Sequence, residues 1–294
     1  MNVGAKVGWD RFRAARPRSD GSMAAAATLR DMSLRVGVFG VGGRMGRAVA
    51  EAVLAEPELD LVAAVDPSYE GIDIAEVANV EGVQFDVSAN ALAMVDANVD
   101  VTVDFTTLAA ARKNLAFCAE HGIHSVVGTS GFTEAEFDDI REMFTSSNCL
   151  IAANFAIGGV LMTKFAEMAA PFFETGEIIE FHHDTKLDSP SGTAVYTAER
   201  MAAASDTWAD DPTESETIPG GRGAVGAGGI PIHAVRMRGM TAHQEVVLGS
   251  TGQTLTLRHD SFDRSSFMPG VVLAVKRVGD MPGLTTGLEE ALGV

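Results

Sequence analysis

The residues best suited to chemistry sit in one stretch, FHHDTKLDSPSGTA, at 181–194. It gathers His182, His183 and Lys186 ahead of a Ser191-Gly192-Thr193 turn that opens a helical pattern. An imidazole titrates near neutrality and can move a proton at cellular pH. A lysine is a point charge for an anion and can also act as an acid. Hydroxyls and free backbone N–H groups at a helix start suit a carboxylate or phosphate. The residue types therefore describe a small-anion site carrying an acid/base group. Zinc held by the paired histidines and Asp184 is a competing reading. However, adjacent residues on a strand point to opposite faces and the spacing matches no zinc pattern, so no metal is expected. The bland alternative is a satisfied surface pair of histidines.

A second constellation lies near the start of the ordered pattern. GVGGRMG at 40–46 comprises Gly40, Val41, Gly42, Gly43, Arg44, Met45 and Gly46, between an apolar strand-like run, RVGVFG, and a helical stripe of Met45, Val49, Ala52 and Val53. Glycines there let the backbone turn tightly and approach a pyrophosphate, and the helix start adds N–H groups and a positive dipole end. Met45 breaks the strict dinucleotide fingerprint. Asp66 follows Gly46 by 20 residues, at the end of the next apolar run, where a carboxylate accepts hydrogen bonds from the adenosine ribose. An acid there disfavours a 2′-phosphate, so NADH is favoured, although Arg44 and Arg47 could accommodate NADPH.

The elements that must position these groups follow a strand–helix alternation. LVAAVD, VDVTVDF, SVVGT and LIAANF read as further strands, separated by helical patterns such as Phe137, Ile140 and Phe144. That alternation implies a doubly wound α/β fold, a Rossmann-type parallel sheet covered on both faces. After Phe155 a helical stripe with Leu161, Phe165 and Met168 is followed by EIIEFHH and, later, PIHAVRMRG, HQEVVLGS and QTLTLRHD. Strands without intervening helices imply a second, α+β domain with a mostly antiparallel sheet. The expected division is 1–32 as an extension, 33–155 completed by 264–294 as the dinucleotide domain, and 156–263 as the substrate and oligomerisation domain. PGGRGAVGAGG at 219–229 is a candidate hinge or cover for the site, or an ordinary loop.

Composition bounds the partners. The 294 residues carry 22 basic and 40 acidic side chains, a net charge of −18, which argues against a nucleic-acid footprint. The first 31 residues run the other way, with six basic side chains against three acidic ones. They read as a disordered tail or an over-extended start, with an organelle transit peptide as the lesser alternative and no secretory signal. No apolar run approaches a membrane span. The two cysteines, Cys118 and Cys149, read as buried inert thiols, consistent with a cytoplasmic location.

At this point the motifs resemble those of bacterial dihydrodipicolinate reductases, also called 4-hydroxy-tetrahydrodipicolinate reductases, from about residue 34 to the C-terminus. The resemblance rests on GVGGRMGR (40–47), VDFT (103–106), GTSGF (128–132), AANFAIG (152–158) and the 177–194 segment, and extends through GIPIHAVR (229–236) and HDSFDRSSFMPG (259–270). It implies an NAD(P)H-dependent reductase of lysine and diaminopimelate biosynthesis, acting on a small cyclic dicarboxylate as a homotetramer. It maps cofactor contacts onto Gly40 through Gly46 and Asp66, and nicotinamide-facing loops onto Gly128, Thr129 and Ser130 and onto Ala152, Ala153, Asn154 and Phe155. Catalytic roles fall on His182 and Lys186, and substrate contacts on His183, Gly192 and Thr193. Two departures stand out. The family's H-H-x-H-K has Thr185 in place of the third histidine, and GTTG reads GTSG. The first of these motivates a rival expectation, a nicotinamide-nucleotide-binding protein that has lost its chemistry. A third is a reductase for another cyclic imine dicarboxylate.

Overall fold

A computed structural model describes residues 33–294, so the N-terminal extension lies outside the described residues. Six parallel strands form the first sheet: β1 (Leu34–Phe39), β2 (Leu59–Val65), β3 (Val101–Asp104), β4 (His124–Val127), β5 (Cys149–Ile151) and β11 (Leu284–Thr286). Their order is β11-β5-β4-β3-β1-β2. The order reverses at β1, which pairs in parallel with both β2 and β3. Ligands of open α/β sheets bind outside the carboxyl ends of the strands at such a reversal.

Helices cover both faces, because parallel strands can be joined only by crossovers. α1 (Arg44–Ala55) buries Gly46, Val49, Ala50 and Val53, one face of a 3.6-residue period. Val36, Val38, Val101, Val103 and Val126 lie in one apolar cluster with it; Phe39, Val127, Cys149 and Ile151 lie in another. Two short helices, α2 (Ile74–Ala78) and α3 (Leu92–Asp96), carry no strong periodic signal. They are followed by α4 (Leu108–Glu120) and α5 (Glu134–Met143), the latter held by a Thr133/Glu136 capping box. α8 (Met268–Arg277) returns from the end of the chain to the valine-rich cluster of the first sheet, and β11 pairs with β5 at its edge.

The second sheet has five strands in the order β10-β9-β6-β8-β7: β6 (Thr175–His182), β7 (Ala224–Val225), β8 (Pro231–Arg236), β9 (Ala242–Ser250) and β10 (Gln253–Ser261). Its pairs are antiparallel except β6–β8, which the long crossover through α7 (Gly192–Ala204) makes parallel. α6 (Ile157–Ala169) and α7 contribute Met162, Ala166, Ala194, Ala198 and Met201 to a cluster with Ile178, Ile232, Val246 and Leu248 of the sheet. Along β6, Gly176, Ile178 and Glu180 are buried while the intervening residues are not. The period of two therefore sends Glu180 and His182 to the same face. A last short helix, α9 (Glu289–Leu292), ends the chain.

Candidate functional site

The glycine turn caps β1 at the sheet reversal. The Gly40 N–H donates to Val65 O and the Gly43 N–H to Gly40 O. A Cβ on Gly46 would stand 2.2 Å from Gly40 O, so only glycine lets α1 press this closely on the turn. Gly43 caps α1 without any side-chain hydrogen bond, which leaves the first-turn N–H groups for a phosphate. Asp66 sits beside the turn: Oδ2 accepts from the Gly42 N–H at 3.0 Å and Oδ1 from the Ser68 N–H at 3.0 Å. Arg44 is exposed, whereas Met45 packs its side chain against the core. A turn, free helix amides and a carboxylate at the end of β2 fit a dinucleotide. The methionine that breaks the fingerprint serves packing.

The neighbouring loops are tied to that turn. Thr106 lies against Gly40, where a Cβ would meet its Cγ2 at 2.7 Å. The Thr129 hydroxyl donates to Thr106 O at 2.9 Å. Buried Asp104 accepts from the Thr106 N–H and from Asn114 Nδ2, both at 2.7 Å. Gly128 admits the Phe105 ring, which a Cβ would hit at 1.9 Å. Burial raises the Asp104 pKa, against the lowering effect of its hydrogen bonds.

Two adjoining cavities open in front of these loops. One, of about 410 Å³, is lined by Thr129, Ser130, Ala152, Ala153 and Asn154 from the first sheet's loops, and by Gly192, Thr193 and Tyr196 from α7. The other, of about 160 Å³, is lined by Ala153, Asn154, Thr193 and three histidines, His182, His243 and His259. Ala153, Asn154, Gly159 and Thr193 face both, so the loops expected to face a nicotinamide and the turn expected to hold an anion share one cleft. Phe155 is buried against Phe105, with ring centroids 5.5 Å apart, and supports the loop from beneath.

His182 ends β6. Its Nδ1 is 2.6 Å from Glu180 Oε2, and among the described residues no protein group pairs with Nε2. Burial holds its pKa below the ordinary 6.5; Lys186 and Arg236 push the same way and Glu180 opposes them. Glu180 is fully buried and also accepts from both terminal nitrogens of Arg236 and from the Ser191 N–H. Burial alone would raise its pKa, but Arg236 and His182 hold it below the usual value. Ser191 caps α7 through Oγ to the Ala194 N–H. His243 pairs its Nδ1 with Asp260 at 2.8 Å and accepts from the Thr241 N–H on Nε2.

His183 and Lys186 line neither cavity. Lys186 Nζ contacts both Asp188 oxygens at 2.7 Å. His183 Nδ1 pairs with the Thr185 hydroxyl at 2.7 Å, so threonine supplies a hydrogen-bonding partner where the family pattern has histidine. The glycine-rich stretch does not cover the cleft. Glu216 accepts from the Gly220 and Arg222 N–H groups, and Arg222 bridges Asp211 and Glu177 at the far end of β6. Both cysteines are free and buried, with Cys118 pushed up to about 12 by burial. Among the described residues no group of three or more His, Cys, Asp or Glu is placed to hold a metal, and no helix is long and apolar enough to cross a membrane.

Sequence reasoning missed Glu180, Arg236, His243 and His259. Only Glu180 left a local signal, an acid on the buried period of an otherwise apolar strand.

Comparison with known proteins agrees with this geometry. The family described as "Dihydrodipicolinate reductase, N-terminus" matches residues 34–155, and "Dihydrodipicolinate reductase, C-terminus" matches 158–292. The 4-hydroxy-tetrahydrodipicolinate reductase of Corynebacterium urealyticum is 46% identical over 89% of this chain and 99% of its own. That of Geobacillus kaustophilus is 43% identical over 89% of this chain and 100% of its own. A dipicolinate-bound dihydrodipicolinate reductase from a Paenisporosarcina species superposes with a TM-score of 0.77 at 38% identity, over 88% of this chain and 99% of that one. An amine dehydrogenase from Mycobacterium smegmatis, 17% identical with a TM-score of 0.60, shares the fold alone. The two family matches together span nearly all the described residues, and the chain belongs to the dihydrodipicolinate reductase family.

Proposed function

We propose that this chain reduces 4-hydroxy-tetrahydrodipicolinate to tetrahydrodipicolinate with NADH or NADPH. The observation that carries the reading is the single cleft that brings Thr129, Ser130 and Asn154 opposite His182, Gly192 and Thr193. A reduced nicotinamide, when bound, supplies a hydride to ring carbon 4 of the substrate once the 4-hydroxyl has left as water. The protein's tasks are to hold the dicarboxylate, exclude solvent and move one proton.

Gly192 and Thr193 present N–H groups and a hydroxyl at the start of α7, aimed at one carboxylate. Lys186 joins them by leaving Asp188. Asp188 is 67% exposed, so its carboxylate returns to water when the lysine leaves. Local cations and helix amides must outweigh the field of a protein carrying −18 before a dianion can enter. Hydride addition leaves an enamine that takes a proton at ring carbon 3. His182 donates it from Nε2, since His182 lines the cavity and Lys186 does not.

Gly40 through Gly46 hold the pyrophosphate and Asp66 the adenosine ribose, which favours NADH. Replacing Asp66 by alanine is expected to weaken NADH binding about tenfold, the worth of a charged hydrogen bond, and NADPH much less. Fluorescence titration of both cofactors checks this, and unchanged affinities would remove Asp66 from the ribose site. A two-domain division at 33–155 with 264–294 and at 156–263, a homotetramer built on the open face of the second sheet, and a cytoplasmic location complete the proposal. The free buried thiols support the last. Turnover of freshly generated substrate with concomitant nicotinamide oxidation tests the activity itself.

A further inference from the structure

We infer that Glu180 is a positioning residue that couples the proton donor to the anion-binding turn: one buried carboxylate fixes the His182 ring and the start of α7 together. The inference rests on the proposed reaction for its kinetic consequences and on geometry for its substance.

The carboxylate makes four contacts from three parts of the fold. Oε2 meets His182 Nδ1 at 2.6 Å and one Arg236 terminal nitrogen at 2.7 Å. Oε1 meets the other terminal nitrogen at 2.8 Å and the Ser191 N–H at 3.0 Å. Arg236 is the register partner of His182 across the parallel β6–β8 pair, so the guanidinium approaches from the adjacent strand. Ser191 is the cap from which Gly192 and Thr193 follow. Arg236 also donates to Asp188 O, which ties the loop carrying Lys186 to the same centre.

Stability does not account for this arrangement. Burying an ion pair costs desolvation that its mutual attraction rarely exceeds, and apolar residues of equal volume serve a fold as well or better. What the carboxylate does achieve is specific. Ionised Glu180 can only accept, so His182 must carry its neutral-state proton on Nδ1, leaving Nε2 as the atom that gains and gives a proton in the cleft. The same acceptor stabilises the imidazolium. The charged groups around His182 are Glu180 on its own strand, Arg236 on β8 and Lys186 on the following loop. His243 on β9 and His259 on β10 face the same cavity. Asp260 pairs with His243 and Asp188 with Lys186, and Glu180 is the anion bonded to the His182 ring itself.

The test uses the full chain labelled with ¹⁵N-histidine, with His182 assigned by the signal lost in His182→Gln. In the unaltered protein the neutral His182 ring is expected as the Nδ1–H tautomer; an Nε2–H tautomer would overturn the inference without any variant having to fold. In Glu180→Gln the His182 titration is expected to move down, with kcat reduced about 10- to 100-fold and dipicolinate, the probe for the turn, bound several-fold more weakly. Glu180→Asp should recover part of all three. A loss of kcat with an unmoved titration and unmoved dipicolinate affinity would make Glu180 merely structural. If the unaltered enzyme fails to turn over substrate, the proposed reaction falls, while tautomer and titration still decide the role of Glu180.

Discussion

His182→Gln is expected to lower kcat on the order of 10²- to 10⁴-fold, the usual contribution of a positioned proton donor, while leaving cofactor affinity close to that of the unaltered enzyme. Glutamine keeps a polar side chain of similar reach but cannot deliver a proton to carbon. The ring lines the cavity, its Nδ1 is occupied by Glu180, and Nε2 is its remaining hydrogen-bonding atom. The pH dependence carries the sign. Burial holds the His182 pKa below 6.5 in the free enzyme, and a donor is loaded only below its pKa. The rate constant kcat/KM is therefore full on the acid side and declines as pH rises through that value. Steady-state rates across pH, with nicotinamide oxidation as readout, check this decline. A near-normal kcat in His182→Gln would remove the ring from the mechanism.

Lys186→Ala carries the second large effect, a loss of about 10²–10³ in kcat/KM, comparable to deleting one preorganised donor from a charge-stabilising site. Lys186 Nζ is held by Asp188 on an exposed loop two residues on, and the side chain is itself only 19% exposed. A dicarboxylate competes with Asp188 for this ammonium. Because the site must draw a dianion into an acidic protein, loss of the cation should raise KM and lower kcat together, and the defect should narrow with added salt, which screens both the lysine's attraction and the protein's repulsion. Near-normal rates would show that the turn at Ser191 to Thr193 holds the carboxylate unaided.

Much of this site could be read from the sequence wherever its parts are contiguous. The glycine turn, Asp66 at a fixed distance from it, and the Ser191 cap are local patterns whose chemistry follows from backbone geometry. The apolar runs marked β1 to β6 and β8 to β10, since burial imposes a period, but not β7 (Ala224–Val225), inside the glycine-rich stretch, nor the three-residue β11 (Leu284–Thr286). What escaped was non-local. His243 and His259 reach the cavity from β9 and β10, and Arg236 reaches Glu180 from β8; no local pattern encodes the order of these strands in the sheet. The parallel β6–β8 pair, which sets Arg236 beside His182, depends on where the α7 crossover lands. Glu180 was visible as an acid between Ile178 and His182 on one face of a strand, but alternation alone does not distinguish a buried carboxylate from a solvated one. The glycine-rich stretch was open to being a cover; Arg222, Asp211 and Glu177 anchor it at the opposite end of β6 instead. Loss of the family's third histidine pointed toward lost chemistry, yet a hydroxyl at Thr185 takes up the neighbouring imidazole nitrogen.

The most direct measurement is oxidation of NADH and NADPH by the purified chain in the presence of freshly generated 4-hydroxy-tetrahydrodipicolinate, with dipicolinate as competitor. The expected result is consumption of one reduced nicotinamide for each tetrahydrodipicolinate formed, faster with NADH, and competitive inhibition by dipicolinate. Intact cofactor binding with no oxidation above background would contradict the proposed reaction in this cleft.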